Sequence, residues 1–204
     1  MKKVLTLLLA ALALSLPARA DRVLKAFTEK VASACVSFEY TWRTVDDVPM
    51  TGAGKAMLQG DAFRVEGNGI EMACDGHTRW SADPAAKEMV VETVDGALDV
   101  AGNPVLLITR LEEVFTVSDA GQSTFRGKTL HTVALTPRVA CGMSLVKLYF
   151  LPDGGLRGVR VVATDGTQTE FALSGWTFAQ RRDLSAFSYD MSTLDNSWVI
   201  SDLR

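Results

Sequence analysis

The sequence has few of the residues on which most enzymes and metal proteins depend. Its 204 residues include only two histidines, His77 and His131, and neither has the spacing of a metal-ligand pair. The three cysteines, Cys35, Cys74 and Cys141, form no CxxC pair, which argues against a thioredoxin-like redox site and a zinc knuckle. A GxSxG nucleophile motif is also absent. These absences predict a protein that is not an enzyme and uses neither a metal nor a cofactor.

An excess of basic residues is lacking as well. The sequence has 21 Lys and Arg residues against 24 Asp and Glu residues, for a formal net charge of -3. It therefore lacks the excess of basic residues that is typical of nucleic-acid-binding proteins. With 48% hydrophobic and 22% charged residues, the chain is too apolar to be intrinsically disordered. The length fits one domain of ordinary size.

The one long hydrophobic run lies at the N-terminus. Lys2 and Lys3 precede the apolar residues 4–16, and small residues follow at Ala18 and Ala20. This order is typical of a secretory signal peptide that is cleaved after Ala20. The run is shorter than the roughly 20 residues that span a bilayer, which leaves an N-terminal membrane anchor as the less favoured alternative.

The pattern therefore divides the chain into a signal peptide, residues 1–20, and a single domain, residues 21–204. Loss of the three basic residues of the signal would change the formal net charge from -3 to -6. An odd number of cysteines in an exported chain leaves at least one thiol unpaired, and the sequence does not choose among the three possible pairings.

Hydrophobic periodicity changes from helical to strand-like early in the domain. Residues 21–34 have apolar positions at helical spacing. Val36, Phe38, Tyr40 and Trp42 then alternate with polar residues, as in a strand with one buried face.

Most of the remaining chain consists of short strands separated by turns such as Asp75-Gly76. A second helix is predicted from Asn103-Pro104 to about Val114, and a last strand at residues 186–189. About ten strands joined by sequential hairpins predict a mainly β protein with an up-and-down antiparallel sheet. A sheet of that size must curl, and the two helices are natural lids for its concave face.

The apolar strand faces have two possible uses. They either fill a solid core or line a cavity for an apolar ligand, and flexible methionines such as Met57 and Met72 fit both. Burial of an acyl chain contributes about 0.8 kcal/mol per CH₂, so such a cavity would bind lipid without any catalytic group.

Several motifs, taken in order, resemble the LolA family of periplasmic carriers of outer-membrane lipoproteins. Each motif is mostly turn and core chemistry, so their shared order carries the resemblance. In chain order they are Ser37-Phe38, Ala62-Phe63-Arg64, the segment from Cys74-Asp75-Gly76 to Trp80, Pro104-Val105-Leu106-Leu107-Ile108, Leu135-Thr136-Pro137 and Phe187-Ser188-Tyr189.

The resemblance implies an unclosed antiparallel β-barrel of about ten or eleven strands, with helices covering a hydrophobic cavity. It implies a monomeric periplasmic carrier that takes lipoprotein acyl chains, or another lipid, from an inner-membrane releasing complex to an outer-membrane acceptor. The candidate lining residues are Phe38, Tyr40, Trp42, Met57, Phe63, Met72, Trp80, Leu106, Leu107, Leu111, Val146, Leu148 and Phe150.

One position departs from the family pattern. An Arg that in the family bonds the lid and tunes its opening is replaced by Gln59, which carries no charge. Arg64 matches only a second, less diagnostic Arg, and a solvated strand residue is the alternative reading for it. We therefore assign lid control to Gln59 and Arg64 as a prediction.

Two rival functions stay open. A sensor or interaction module on the same fold would bind a lipid or a protein segment and transport nothing. A lipid hydrolase would need a nucleophile beside a base, and the scarcity of histidine argues against it.

Overall fold

The computed structural model describes residues 17–94 and 111–204 and has one twelve-stranded sheet that does not close. The strands lie in the order β12-β6-β5-β4-β3-β2-β1-β11-β10-β9-β8-β7. Their bounds are β1 Cys35–Thr44, β2 Thr51–Gln59, β3 Ala62–Gly67, β4 Ile70–Cys74, β5 Thr78–Asp83, β6 Glu88–Thr93, β7 Phe115–Phe125, β8 Lys128–Pro137, β9 Met143–Phe150, β10 Leu156–Ala163, β11 Gln168–Ala179 and β12 Val199–Asp202.

The topology confirms the mainly β, unclosed barrel. Strands β1 to β6 and β7 to β11 form two up-and-down halves, and the antiparallel pairing of β1 with β11 joins them. Strand β12 departs from the predicted antiparallel pattern because it pairs parallel with β6. The chain after β11 passes along the sheet and reaches this edge from the opposite end, which sets the parallel direction.

The strand count exceeds the predicted ten or eleven for identifiable reasons. Strand β7 carries mainly small and polar residues, so it lacks the bulky alternation that marks β1.

The predicted strand at residues 186–189 is wrong. A 3₁₀ turn occupies Leu184–Phe187, because the Asp183 carboxylate accepts a hydrogen bond from the Ser185 amide and starts a turn there.

The first helix, α1, spans Pro17–Ala32 rather than the predicted 21–34. Proline is favoured at the first helical position, which suits Pro17 as the first helical residue of the described chain. Leu24, Phe27 and Val31 are buried against the inner face of the sheet. The Phe27 ring meets the ring of Phe150 edge-on, with centroids 5.8 Å apart. Helix α1 is thus a lid on the inner face.

The second helix, α2, spans Leu111–Val114 and runs directly into β7. It is the end of the helix predicted from Asn103-Pro104. The earlier part of that prediction lies outside the described residues.

Three apolar clusters lie on the outer face of the sheet. Trp80, Met89 and Val91 lie beneath a C-terminal segment, residues 183–198, whose apolar members include Tyr189 and Trp198. Around the β7–β8 turn, Phe125 stacks on Tyr149, with ring centroids 4.6 Å apart. The protein therefore has packed side chains on both faces of one sheet.

Candidate functional site

A cavity of about 480 Å³ lies against the inner face of the sheet. The described residues that form its wall have aliphatic and aromatic side chains and include a single threonine and no charged residue. The lining residues are Phe38, Tyr40, Trp42, Ala56, Leu58, Val65, Met72, Val146, Leu148, Val159, Val161, Thr169, Phe171 and Leu173. The volume lies within the usual range for small-molecule sites, about 300–1,000 Å³.

Glycines on β2 and β3 make room for the aromatic part of this wall. The Tyr40 ring lies over Gly54 and Gly67, and a Cβ at either glycine would collide with its hydroxyl. Gly52 occupies the same relation to the Trp42 indole. Burial raises the pKa of the Tyr40 hydroxyl, as expected for a phenol against an apolar surface. The flat packing keeps both rings on the wall and leaves the centre open.

The cavity brings together six of the thirteen residues predicted to line it. These are Phe38, Tyr40, Trp42, Met72, Val146 and Leu148. Val159, Val161 and Phe171 also line the cavity and follow the same strand alternation, but the predicted set omitted all three. Binding of a ligand by these residues remains a prediction.

Five predicted lining residues lie elsewhere. Phe63, Leu111 and Phe150 are fully packed within the inner core beside the cavity. Met57 and Trp80 project from the outer face, where Met57 meets Phe187 and Trp80 meets the C-terminal segment. Successive side chains of a strand point to opposite faces, so Met57 and Trp80 point to the outer face while their neighbours in the chain point inward. Leu106 and Leu107 lie outside the described residues.

Gln59 is also on the outer face, so it does not touch the cavity. Its Nε2 donates to the Arg182 carbonyl at 2.9 Å, and its Oε1 accepts from the Arg182 amide at 2.7 Å. Next to it, the Arg181 guanidinium donates to the carbonyl of Ala32, the last residue of α1. Gln59 therefore anchors a short link between the sheet and the lid helix.

Arg64 has no such connection. It lies opposite Met57 and Ala73 on the outer face, because directly paired residues share a face. It is near the Tyr189 hydroxyl, whose pKa is raised mainly by burial and by Glu71, while Arg64 acts in the lowering direction. This placement gives Arg64 no contact with α1.

The outer face also holds a buried carboxylate that the sequence did not reveal. The side chain of Glu170 is 2% exposed and is bonded by Arg43 and Arg160, with Arg126 at 3.7 Å. Burial alone would raise the pKa of Glu170, but the hydrogen bonds from Arg160 and Arg43 outweigh it and lower that pKa. The cluster ties β1, β10, β11 and the β7–β8 turn together across the outer face.

The described residues contain no group of His, Cys, Asp and Glu side chains that would hold a metal ion. All three cysteines are free, with Cys35 and Cys74 buried. No helix within residues 17–94 and 111–204 is long and apolar enough to cross a membrane.

Comparison with solved structures places the fold among known proteins. An uncharacterized conserved protein from Thermus thermophilus superimposes with a TM-score of 0.56 and 8% identity, covering 90% of this chain and 99% of that one. A LolA superfamily protein from Nitrosomonas europaea has a TM-score of 0.45 and 11% identity, with 83% and 97% coverage. At such identities the first similarity supports the fold alone. No curated protein sequence matches the chain.

A sequence profile gives the stronger result. The profile described as outer membrane lipoprotein carrier protein LolA matches residues 31–190, which include β1 to β11 and the cavity wall. A match over this much of the chain establishes the relationship that the order of motifs indicated. The chain belongs to the LolA family.

Proposed function

We propose that this protein is a carrier that holds the acyl chains of a lipid in the inner-face cavity. The observation that carries the proposal is the wall itself, which is apolar except for Thr169 and has no charged side chain. Such a wall suits a hydrocarbon chain and offers no group for covalent chemistry.

The expected energetics suit a carrier. Each buried CH₂ contributes about 0.8 kcal/mol, so affinity grows with chain length and needs no specific polar contact. Because no bond forms or breaks, release requires only that the cavity open. The link from Gln59 through Arg181 to α1 is a place where such opening would be controlled.

We further propose that the cargo is a lipoprotein moved from the inner to the outer membrane through the periplasm. Membership of the LolA family and the predicted signal peptide support this cargo and location. An inner-membrane releasing complex and an outer-membrane acceptor would be its protein partners, and the carrier would work as a monomer.

Native mass spectrometry of protein purified from a bacterial periplasm tests the cargo. A bound lipoprotein, or a discrete acyl-chain adduct after organic extraction, is expected. A stoichiometric phospholipid would keep the cavity function and reject the lipoprotein. Bare protein that also fails to take up a fluorescent fatty acid would reject the carrier.

Two neighbouring valines provide a matched test of the cavity. Val161 lines it, whereas Val162 is the next residue along β10 and points to the opposite face. Val161→Trp should fill the cavity and weaken fatty-acid binding about tenfold or more, a loss of about 1.4 kcal/mol. Val162→Trp adds the same side chain outside and should bind as the unchanged protein does.

A second candidate is an interaction module on the same fold that transports nothing. The uncharged Gln59 at the lid-control position favours it, because the family Arg is absent there. Transfer of a labelled lipoprotein from inner-membrane to outer-membrane vesicles separates the candidates, since the module would bind lipid without delivering it.

A further inference from the structure

Strand β11 has an unpaired edge. It pairs with β1 up to Ala179 opposite Cys35, with a bulge at residues 175–176, but it pairs with β10 only as far as Ala172. Residues 174–179 have no backbone partner on the β10 side within the described chain. An unpaired edge presents backbone N–H and C=O groups that an added extended chain can satisfy.

This edge faces a groove beside helix α1. The groove has a volume of about 910 Å³ and lies between α1, the β9–β10 turn and the free part of β11. Its apolar floor includes Val23, Phe27, Leu151, Trp176 and Phe178. Trp176 and Phe178 are two residues apart and share a face of the strand, so alternate side chains of an added strand would meet aromatic surface.

Basic side chains surround the groove. Arg22, Lys30, Lys128 and Arg157 line it, and Asp153 is the one acidic lining residue. The Asp153 carboxylate accepts a hydrogen bond from the Gly155 amide at 2.9 Å, within its own turn. The groove therefore has four basic lining residues against one acidic residue. This basic rim stands out in a chain whose formal net charge is -3.

Two of the basic residues are held in place by the groove itself. The Lys30 ammonium lies 3.9 Å from the centre of the Phe178 ring. The Arg157 guanidinium donates to the Leu173 carbonyl, where the unpaired edge begins. Both place a basic side chain at the groove wall, which favours a negatively charged occupant.

We propose that this groove binds an extended segment of a partner protein in which acidic side chains alternate with apolar ones. The segment adds to the free edge of β11, its apolar side chains contact Trp176 and Phe178, and its carboxylates face Arg22 and Lys128. An acyl chain has no backbone groups to pair with the edge, so a peptide fits better than a lipid. The site adjoins the lipid cavity, since Leu173 lines both, and serves recognition by a partner.

The test uses a short fluorescein-labelled peptide in which Glu alternates with Val, added to the full protein. We expect saturable binding that weakens with salt. The double variant Arg22→Glu/Lys128→Glu should weaken it about tenfold or more. The control Lys25→Glu/Arg138→Glu changes the same net charge at exposed residues outside the groove and should leave affinity within about twofold.

The edge is tested separately from the charges. N-methylation of alternate peptide backbone nitrogens should weaken binding about tenfold, and hydrogen exchange should slow at residues 174–179 when the unmodified peptide binds. Both double variants should still take up fluorescent fatty acid, so a failure of the carrier function is recognised independently.

Several results would overturn the proposal. They are equal weakening by the two double variants, full affinity of the N-methylated peptide, and no peptide binding by protein that takes up fatty acid normally. Binding to phosphatidylglycerol vesicles that depends on Arg22 and Lys128, without peptide binding, would assign the groove to an anionic lipid surface instead.

Discussion

The two faces of the sheet carry similar side chains, but these line a cavity on one face and are covered by packed chain on the other. Trp42 and Trp80 both come from strands with alternating apolar residues. Trp42 lies over Gly52 on the wall of an open cavity, whereas Trp80 is buried under the C-terminal segment. Alternation therefore assigns a residue to a face, but the segments that cover a face decide whether it becomes core or cavity.

The covering segments differ in kind as well. On the outer face, the C-terminal segment and the β7–β8 turn pack against the sheet with Trp198 and Phe125, and the Glu170 cluster lies beside the β7–β8 turn. On the inner face, α1 packs with Phe27 and Val31 and leaves the cavity beside it. The packed clusters on both faces should therefore govern stability, whereas the cavity wall on the inner face should govern ligand binding.

The largest effect is expected at Trp80, where Trp80→Ala should lower the free energy of unfolding by about 3 kcal/mol or more, because it empties a packed site. Fatty-acid affinity of the folded fraction should not change. Chemical denaturation measures the first quantity and a fluorescence titration the second. Trp80→Phe is the control and should cost less, since the Trp80 indole N–H is buried without a hydrogen-bond partner among the described residues. A loss of affinity in Trp80→Ala would contradict the division between the faces.

The next effect concerns the outer charge cluster. Glu170→Gln keeps the shape of the side chain but removes the charge that Arg43, Arg126 and Arg160 share, and should cost about 2 kcal/mol at neutral pH. The value is reduced because these arginines are partly exposed to water.

The pH dependence of this loss has a definite sign. The pKa of Glu170 is lower in the folded protein, so its contribution is present above the unfolded pKa and lost as pH falls through the folded one. Denaturation curves over acidic pH should show the difference between the Glu170→Gln variant and the unchanged protein shrinking. A difference that stays constant on acidification would show that the charge is not responsible.

A smaller effect is expected at the link to the lid. Gln59→Ala removes two hydrogen bonds to the Arg182 backbone and should cost about 1–2 kcal/mol. Gln59→Glu still accepts from the Arg182 amide, but it places a buried carboxylate oxygen against the Arg182 carbonyl, so it should cost at least as much. Hydrogen exchange should quicken at residues 180–187 and at the end of α1 in both variants. Unchanged exchange there would separate Gln59 from the lid.

The smallest change in stability should come from the inner face. Trp42→Ala should cost about 1 kcal/mol or less, because Trp42 is partly exposed and lines a cavity instead of filling the packed core. Fatty-acid affinity should nevertheless fall severalfold, since the acyl chain loses an aromatic contact. Trp42→Phe should retain most of that affinity. A large loss of stability with unchanged affinity would make Trp42 a core residue.

Much of the fold followed from local patterns. The alternation at Phe38, Tyr40 and Trp42 and the turn at Asp75-Gly76 predict a meander, because period and turn chemistry are local properties. The strand predictions failed where the local sequence pattern was weak or ambiguous. Strand β7 has few bulky apolar residues, and residues 186–189 alternate like a strand although Asp183 starts a 3₁₀ turn before them.

The candidate site was predictable only in part. The sequence placed Val146 and Leu148 on the correct wall because both alternate on one strand. It misplaced Met57 and Trp80 because the inward direction of a strand depends on its register with distant strands. The Glu170 cluster joins residues more than a hundred positions apart, which no local pattern predicts.

The sequence by itself determined that this protein is a mainly β chain of the LolA family without metal-binding or nucleophile motifs, since periodicity, turns and the order of motifs are written along the chain. Only the tertiary structure decided which face holds the cavity, that Gln59 is linked to α1 through Arg181, and that part of β11 has no second strand partner among the described residues beside a basic groove. The reason is physical: open space, pairing and charge clustering depend on which distant segments meet, and that is settled by packing.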